Sequence, residues 1–232
     1  MSKNYFPLPP LIEKEKIERA SHFSTAELCD GMKDLNISRD GAMDSALMPI
    51  DGNLYMVGTA CTVETSDGDN FPIHIALYQS KPEYVLLIDG KNYTERPYMG
   101  DLMGATAKAV GLNGIVVDGL VRDRMGLKEM QLPVYARGFM QRGPSKQGPG
   151  KINVPIMCAG VIVHPGDLVV GDYDGVTVVP REHIDAVLAA AEKKKTYEEN
   201  RRVVIAEYAK CRKEGTKLPE LAPDWVLKML DQ

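Results

Sequence analysis

The chain has 232 residues, of which 44% are hydrophobic and 26% are charged, and its formal net charge at pH 7 is -4. This size and composition predict one soluble globular domain with room for terminal extensions. The weak negative charge disfavours nucleic acid as a partner, and no stretch approaches the ~18 consecutive apolar residues that a membrane-spanning helix needs. Basic residues cluster only at 193–195 and 201–202, where we expect a solvated helix face.

The four cysteines give no sign of a disulfide framework or a metal site. Cys29, Cys61, Cys158 and Cys211 stand far apart, and no Cys-x-x-Cys spacing occurs. We therefore expect them to pack as small hydrophobic residues. The sequence also begins without a charged and then apolar signal segment, so we expect a cytoplasmic protein.

We predict three regions along the chain. Residues 1–22 contain a proline-rich arm and a short helix over 12–20, residues 23–182 form an α/β domain, and residues 183–232 form a C-terminal helix and a tail. The arm and the tail both carry apolar side chains that need to be covered. We expect the arm to pack on a neighbouring surface and the tail to lie at a subunit interface.

The pattern of the central region is typical of an α/β protein. Ser24-Thr25-Ala26-Glu27 is a capping box and predicts a helix from about Ser24 to Lys33. Apolar runs then alternate with segments of helical spacing. The predicted strands cover 58–65, 84–90, 115–119 and 133–136, and the predicted helices cover 71–78 and 100–110.

The second half of the chain changes in character. Residues 138–154 are rich in Gly, Pro, Lys and Arg and predict a loop. Short apolar runs separated by turns between 155 and 179 predict a β-meander or a small barrel-like sheet. Residues 182–213 predict one long amphipathic helix or two.

Two apolar runs end in the same dipeptide, at Asp89-Gly90 and at Asp118-Gly119, with one predicted helix between them. This spacing predicts a β-α-β unit. In such a unit, the turn before the helix and the exit of the next parallel strand lie at the same edge of the sheet. Asp101 is therefore expected to meet Arg122 and Asp123, although 20 residues separate Asp101 from Arg122 in the sequence.

These residue types suit an α-keto acid. A carboxylate can ligate Mg²⁺ or Mn²⁺, a guanidinium can bind a carboxylate or an enolate oxygen, and the N–H groups of Leu102, Met103 and Gly104 at the helix start could bind an anion. The metal and Arg122 would stabilise the enolate that forms when the bond beyond the α-keto group breaks. The structural alternative is a surface Arg122–Asp123 ion pair with Asp101 as a helix cap. Spacing alone does not separate these two interpretations.

The sequence also resembles the RraA-like family, which includes the class II 4-hydroxy-4-methyl-2-oxoglutarate/4-carboxy-4-hydroxy-2-oxoadipate aldolases and the regulator of ribonuclease activity. The matching motifs lie roughly within residues 58–182 and are Gly68-Asp69-Asn70, Asp89-Gly90, Gly100-Asp101-Leu102, Gly114 to Gly119, Val121-Arg122-Asp123, Leu132-Pro133-Val134, Pro155-Ile156, Pro165-Gly166-Asp167 and Asp172 to Val176. The resemblance implies a layered β/β/α fold with a central β-rich core and outer helices. It also implies a homotrimer or a homohexamer with sites between subunits.

In the aldolase branch of that family, an Asp, 20 further residues and then Arg-Asp mark the active members, and Asp101, Arg122 and Asp123 reproduce this pattern. The resemblance implies that Asp123 ligates the divalent metal and that Arg122 holds the keto and carboxylate oxygens of the substrate. It also implies a pocket for the pyruvyl group, lined by Gly100, Asp101, Leu102 and Met103, with Asn70 nearby.

One position departs from the aldolase pattern. Aldolases often have Glu or Asp three residues after the metal-binding Asp, and this chain has Gly126 there. A missing carboxylate next to the metal ligand would orient the surrounding water less well. A neighbouring subunit could add a carboxylate from its C-terminal helix, with Glu198 and Glu199 as candidates. His74 could also be catalytic, although a packed or capping histidine is the preferred interpretation.

These observations predict a metal-dependent lyase that cleaves a 4-hydroxy-2-oxo acid or diacid by a retro-aldol reaction. The products would include pyruvate, formed through a metal-stabilised pyruvate enolate, and oxaloacetate decarboxylation would be a side activity. The alternative is a non-catalytic RraA-like regulator that binds a ribonuclease. A third option, a methyltransferase, is disfavoured because the sequence has no Gly-rich turn of the kind that binds S-adenosylmethionine.

Overall fold

A mixed β-sheet through the middle of the chain organises the fold in the computed structural model, which describes residues 4–37, 41–52 and 54–230. The strands are β1 (Met48–Pro49), β2 (Met56–Glu64), β3 (Tyr84–Met99), β4 (Gly114–Val121), β5 (Val134–Phe139), β6 (Lys151–Ile152), β7 (Ile156–Cys158), β8 (Val161–Val163), β9 (Leu168–Gly171) and β10 (Val176–Val179). The helices are α1 (Lys14–Ala20), α2 (Thr25–Asp34), α3 (Phe71–Gln79), α4 (Asp101–Val110), α5 (Arg124–Glu129), α6 (Ile184–Glu214) and α7 (Asp224–Leu230), with a 3-10 turn at Arg181–His183.

Four parallel strands form the centre of this sheet. The strand order is β1-β5-β4-β3-β2-β9-β10, with β6 beside β2. Strands β2 to β5 pair in parallel in sequence order, and α3, α4 and α5 connect them in turn. A parallel pair needs such a crossover because its strands run in the same direction. The predicted β-α-β unit is therefore confirmed.

The sheet is buried on both faces, which makes the molecule layered. Alternate side chains of a strand point to opposite faces. On one face, Val85, Leu87 and Val116 pack against the hairpin of β7 and β8. On the other face, Leu86 and Ile115 pack against α3 and α4. The predicted β/β/α layering, with a central β-rich core and outer helices, is confirmed.

Strand β3 is much longer than the predicted strand over 84–90. It continues to Met99, and its pairing with β4 becomes irregular after Ile88, through Tyr93 against Gly119, Pro97 against Leu120 and Met99 against Val121. The polar residues after Gly90 do not look like a buried strand in sequence. They pair because β4 continues alongside them, which local propensity cannot reveal.

The short strands predicted between 155 and 179 do not form one meander. β7 and β8 pair as a separate hairpin, whereas β9 and β10 join the main sheet because β9 pairs antiparallel with β2. β3 lies on one side of β2, and the other edge of β2 pairs with both β9 and β6. The loop predicted over residues 138–154 is wrong at Lys151–Ile152, because these two residues form β6 and pair with β2.

The N-terminal arm lies on its own domain. The Phe6 N–H donates to the carbonyl of Ile152 (3.1 Å), and Tyr5 and Leu8 pack against the helix-side core. Helix α1 begins later than predicted because Ile12 is buried and its N–H donates to Thr59 Oγ1 (3.0 Å). Residues 1–3 of the predicted arm lie outside the described residues.

The C-terminal region contains one long helix, α6. Its buried residues are confined to its first turns, at Ile184, Val187, Leu188 and Ala191. The tail folds back along this helix, where Arg201 Nη2 donates to the carbonyl of Leu221 (2.6 Å), and Trp225 remains 59% exposed. The location of the tail at a subunit interface stays a prediction, and residues 231–232 lie outside the described residues. No helix in the described part of the chain is both long and apolar enough to cross a membrane.

Two of the four cysteines are buried, as predicted, and two are not. Cys61 and Cys158 are buried, whereas Cys29 and Cys211 are partly exposed. Cys29 lies on α2 with its Sγ 3.2 Å from Thr177 Oγ1. Cys211 is near the end of α6, where the helix has left the body of the domain.

Helix α2 is held to the sheet by a carboxylate in the turn between β9 and β10. The predicted capping box is confirmed, because the Glu27 N–H donates to Ser24 Oγ and the Ser24 N–H donates to the Glu27 carboxylate. Asp172 then accepts hydrogen bonds from the N–H and the hydroxyl of Thr25, both at 2.8 Å. Local capping therefore starts the helix, and Asp172 fixes its position.

We expect Asp172→Ala to lower the free energy of unfolding by about 1–3 kcal/mol, because both hydrogen bonds to Thr25 are lost and a partly buried donor is left without a partner. Urea denaturation of the full chain measures this. Asp174→Ala is the matched control, since Asp174 is an exposed carboxylate of the same turn. Equal effects of the two substitutions would contradict this role of Asp172.

Candidate active site

A cleft of about 310 Å³ opens where β3 and β4 end and α4 begins. Ligands commonly bind at this edge of parallel sheets, and the volume is within the usual range for small-molecule sites. Seven residues predicted from the sequence line it, namely Asn70, Gly100, Asp101, Leu102, Met103, Arg122 and Asp123. Further lining residues are Met99 and, from separate segments, His74, Gly143, Pro144 and Lys146.

Arg122 and Asp123 form an ion pair in this cleft. Arg122 Nε lies 3.3 Å from Asp123 Oδ2, and the two side chains are 40% and 41% exposed. The backbone of Asp123 is left-handed (φ 58°, ψ 47°), a conformation that Asp adopts more readily than most residues. Asp123 precedes α5 directly, but its side chain does not cap that helix. The carboxylate is therefore available to the cleft.

Gly100 makes room for this ion pair. A Cβ atom at position 100 would lie 2.2 Å from Asp123 Oδ2 and 3.0 Å from Arg122 Cγ. No side chain fits at such distances, so the backbone before α4 touches the pair. The close approach explains why glycine stands at this position.

Asp101 and Gly126 are in contact in the same way. A Cβ atom on Gly126 would lie 2.8 Å from Asp101 Cβ and 2.9 Å from Asp101 Oδ2. The space that a Glu or Asp side chain at position 126 would need is therefore taken by Asp101. The contact with Asp101 therefore gives a steric reason for glycine at position 126, where this chain departs from the aldolase pattern.

The predicted amide site at the start of α4 is wrong in part. The Gly104 N–H donates to the carbonyl of Gly100 (3.1 Å), because it makes the first i to i-4 bond of the helix. The Leu102 N–H donates to Asp101 Oδ1 (2.7 Å). Two of the three predicted N–H groups are therefore already bonded within the chain.

Asn70 presents an unsatisfied acceptor. The residue is 3% exposed, and its Nδ2 donates to Met103 Sδ (3.3 Å). Its Oδ1 is buried and has no hydrogen-bond partner among the described residues. A buried acceptor without a partner costs about 1–3 kcal/mol, so this atom points to a ligand of the cleft.

Asp69, the neighbour of Asn70, holds the loop of residues 143–148, which forms another wall of the cleft. Its carboxylate is buried and accepts hydrogen bonds from Phe71 N–H (2.9 Å), Ser145 Oγ (2.9 Å), Gln147 N–H (2.5 Å) and Gly148 N–H (3.3 Å). Burial opposes the ionisation of Asp69, but these hydrogen bonds outweigh it and lower the pKa below its usual value. Sequence reasoning named Asp69 only as part of the Gly68-Asp69-Asn70 motif and missed this role, for which the local signal is the polar run before α3.

His74 and Lys146 also border the cleft. His74 is half-buried on α3, with its ring centroid 6.1 Å from that of Tyr78. The sequence alone preferred a packed or capping histidine, and the structure shows a cleft-lining one. Lys146 was missed because it lies in a segment whose only clear pattern was that of a loop.

The two Asp-Gly strand ends outside the cleft have structural partners. Asp118 pairs with Arg137 and accepts a hydrogen bond from the Ala159 N–H (2.8 Å). Asp89 accepts a hydrogen bond from the Lys91 N–H (3.2 Å), and burial raises the pKa of Asp89 to about 6. Neither residue lines the cleft. Glu198 and Glu199 lie on the exposed part of α6, so their contribution to a neighbouring subunit stays a prediction.

The donor atoms of the cleft suit a strongly hydrated cation. Among the described residues, no group of three or more His, Cys, Asp and Glu side chains could hold a metal. The cleft does offer the carboxylates of Asp101 and Asp123 and the unsatisfied Oδ1 of Asn70. Mg²⁺ typically takes one or two carboxylates and completes its shell with water and substrate, whereas structural zinc needs four ligands. The residues present therefore fit Mg²⁺ or Mn²⁺.

Comparison with known proteins assigns this chain to a protein family. A family model named RraA-like and described as Aldolase/RraA matches residues 25–178. The chain belongs to this family. The predicted resemblance is thereby confirmed.

Three relatives illustrate the RraA-like membership. A protein of Halalkalibacterium halodurans named "Putative 4-hydroxy-4-methyl-2-oxoglutarate aldolase" is 41% identical over 165 residues, which cover 71% of this chain and 79% of that protein. A structure from Pseudomonas syringae pv. tomato has a TM-score of 0.77 and 27% identity, covering 87% of this chain and 92% of that one. The structure of Streptomyces coelicolor RraAS2, described as an unusual member of the RNase ES inhibitor RraA protein family, has a TM-score of 0.75 and 27% identity, covering 82% and 98%. The name of the first relative supports an aldolase-type function.

We expect Asp69→Ala to release residues 145–148 and to lower the free energy of unfolding by about 2–4 kcal/mol, because several hydrogen bonds to a buried carboxylate are lost. Faster hydrogen exchange of the Gln147 and Gly148 amides would report the release. Since folding lowers the pKa of Asp69, its stabilisation is complete above about pH 4 and is lost as the pH falls through the folded-state pKa. Asp67→Ala, at an exposed position of the same turn, is the control and should change neither measurement.

Proposed function

We propose that this protein is a divalent-metal-dependent lyase that cleaves a 4-hydroxy-2-oxo acid or diacid by a retro-aldol reaction and releases pyruvate. The observation that carries the proposal is the Arg122–Asp123 pair, held against Gly100 in a cleft that Asp101 and Asn70 also line. The aldolase name of the Halalkalibacterium halodurans relative supports the same class of reaction.

Arg122 would bind the substrate and stabilise the charge that develops. Its guanidinium can hold the 1-carboxylate and the 2-keto oxygen together, because its N–H groups are arranged as a planar fork. When the C3–C4 bond breaks, its electron pair moves into the enolate of pyruvate, and Arg122 is positioned to stabilise the negative charge on that oxygen. A divalent cation held by Asp123 would supply further positive charge to these oxygens when bound.

The proton of the substrate 4-hydroxyl must leave as the bond breaks. We assign its acceptance to Asp101, the second carboxylate of the cleft. C4 leaves as a carbonyl carbon, and return of the proton from Asp101 to C3 of the enolate, through water, gives pyruvate and restores the Asp101 carboxylate. Asn70 Oδ1 would accept a hydrogen bond from the bound ligand or from water, which satisfies its buried acceptor.

Oxaloacetate decarboxylation would be a side activity at the same site. Loss of CO₂ from oxaloacetate leaves the same pyruvate enolate, so Arg122 would stabilise it in the same way. No 4-hydroxyl proton has to be removed in that reaction. We therefore expect decarboxylation to depend less on Asp101 than the aldol cleavage does.

The second candidate is a non-catalytic regulator that binds a ribonuclease. The fold similarity to Streptomyces coelicolor RraAS2 favours it. That function does not call for an unsatisfied buried acceptor and an ion pair in the same cleft. Co-purification with a ribonuclease that persists in Asp123→Ala, together with the absence of pyruvate release, would favour the regulator.

We expect Asp123→Ala to lower kcat/KM for pyruvate release at least about 10³-fold, and Arg122→Ala about 10²- to 10³-fold, because each removes a charge at the reacting oxygens. A coupled pyruvate assay with Mg²⁺, and with EDTA, measures both the effect and the metal dependence. Arg124→Ala is the matched control, since the Arg124 guanidinium lies 4.7 Å from the Phe139 ring centroid, outside the cleft. Turnover insensitive to EDTA would argue against the metal, and equal losses in all three variants would argue against the assigned roles.

We expect Gly126→Glu to lower pyruvate release about tenfold or more, although it introduces the carboxylate that aldolases often have at this position. The new Cβ would collide with Asp101 at 2.8 Å and displace its carboxylate from the cleft. Met125→Glu adds the same charge at the exposed neighbouring position and should retain most of the activity. Higher activity in Gly126→Glu would show that the contact with Asp101 is unimportant.

A further inference from the structure

Tyr98 is a fully buried residue of β3 and directly precedes Met99 and Gly100, which line the cleft. Its hydroxyl accepts a hydrogen bond from the Gly68 N–H (3.1 Å) and donates one to the carbonyl of Gly90 (2.7 Å). Burial raises the pKa of Tyr98 to about 12, so the hydroxyl is protonated at pH 7 and can donate. The side chain therefore joins β3 to the turn before α3.

The glycines of the two Asp-Gly dipeptides make room for this ring. A Cβ atom on Gly90 would lie 2.6 Å from Tyr98 Cε2, and a Cβ atom on Gly119 would lie 2.5 Å from the same atom. A side chain at either position would push the ring away, because protein interiors leave no free space at such distances. The repeated glycine therefore lets one tyrosine pack against both β3 and β4 just before the two strands reach the cleft.

The turn that Tyr98 holds also carries Asn70. Gly68, two residues before Asn70, has a left-handed backbone (φ 66°), and its carbonyl accepts a hydrogen bond from the Ser145 N–H (2.8 Å). Gly68 is thus bonded to Tyr98 through its N–H and to the loop of residues 143–148 through its carbonyl. Asn70 follows in this fixed segment, and its Oδ1 is the buried acceptor that has no partner among the described residues.

We infer that Tyr98 is a positioning residue of the site, whose hydroxyl fixes the turn before α3 so that Asn70 Oδ1 is presented to the ligand of the cleft. The identity of that ligand rests on the proposed function. Tyr98 is buried and does not line the cleft, so it acts through Asn70 and not on the substrate. Displacement of a site group by about 1 Å can lower a rate by about 10²-fold, so a small shift of this turn is sufficient.

Removal of the hydroxyl tests this role. We expect Tyr98→Phe to lower kcat/KM for pyruvate release about tenfold, because the Gly68 N–H and the Gly90 carbonyl lose their shared partner and the turn shifts. Tyr135→Phe is the matched control, since Tyr135 is also fully buried and its hydroxyl donates to a backbone carbonyl outside the cleft, that of Asp172 (2.9 Å). The control should lower stability to urea by a similar amount but change kcat/KM less than about twofold.

A double-mutant cycle with Asn70 separates positioning from a general loss of structure. We expect Asn70→Ala to lower kcat/KM about tenfold, and Tyr98→Phe to add less than about twofold in the Asn70→Ala background, because no acceptor is then left to position. Independent losses would instead multiply to about 100-fold in the double variant, and that result would overturn the inference.

A binding measurement tests the same coupling without turnover. Oxalate resembles the enolate of pyruvate in its planar shape and its charge, and calorimetry in the presence of Mg²⁺ measures its affinity. We expect Tyr98→Phe to weaken oxalate binding about tenfold and Tyr135→Phe to leave it unchanged. In the Asn70→Ala background, Tyr98→Phe should have little further effect.

The outcomes distinguish this inference from the proposed function. If the wild type releases pyruvate and Tyr98→Phe changes neither turnover nor oxalate binding, the positioning role is overturned and the lyase stands. If the wild type releases no pyruvate from any substrate but binds oxalate in a way that depends on both Tyr98 and Asn70, the lyase is overturned and the positioning role stands. A wild type that neither releases pyruvate nor binds oxalate would overturn both.

A second variant covers a failure of Tyr98→Phe to fold, which loss of helical circular dichroism would reveal. Gly119→Ala keeps the hydroxyl, and its new Cβ would lie under 3 Å only from the Tyr98 ring, at 2.5 Å and 2.8 Å. We expect it to displace the ring and to show the same loss of kcat/KM, again with little further effect in the Asn70→Ala background. An additional loss in that background would overturn the inference.

Discussion

The continued pairing of β3 with β4 is the constraint on which the cleft depends. The two strands remain paired as far as Met99 and Val121, and the Arg122 N–H donates to the carbonyl of Met99 (2.9 Å). The next residue on one strand is Gly100, and the next on the other is the Arg122–Asp123 pair. Neighbouring strands lie about 4.8 Å apart, so the ion pair and the start of α4 are brought into contact by strand pairing itself.

Glycine at two positions makes this close contact sterically feasible. Gly100 leaves room for the Asp123 carboxylate, and Gly126 leaves room for Asp101. The second contact gives a physical reason why this chain lacks the acidic residue found at the equivalent position of many aldolases. In this chain Asp101 fills the volume that a side chain at position 126 would need, which is consistent with the close packing of protein interiors.

The loop of residues 143–148 shows how distant segments share one site. Asp69 is buried and bonded to this loop, and the neighbouring residue Asn70 lines the cleft with an unsatisfied oxygen. The same turn therefore fixes the loop that carries Lys146 and presents a polar atom to the cleft. The fixed loop gives the cleft a preformed wall, so less conformational freedom is lost when a ligand binds.

The amino-acid pattern alone was sufficient for the α/β class, the β-α-β unit, the capping box at Ser24 and the meeting of Asp101 with Arg122 and Asp123, whereas Asn70 was assigned to the site only by resemblance to the family. These features follow from local periodicity, or from the rule that successive parallel strands end at one edge of a sheet. The extension of β3, the separation of β7 and β8 from β9 and β10, and the strand at Lys151–Ile152 depend on which edges of β2 and β4 are free. The contact of Gly126 with Asp101 and the hold of Asp69 on the 145–148 loop also required the folded chain. Their partners are far apart in sequence, and only tertiary packing brings those atoms within bonding distance.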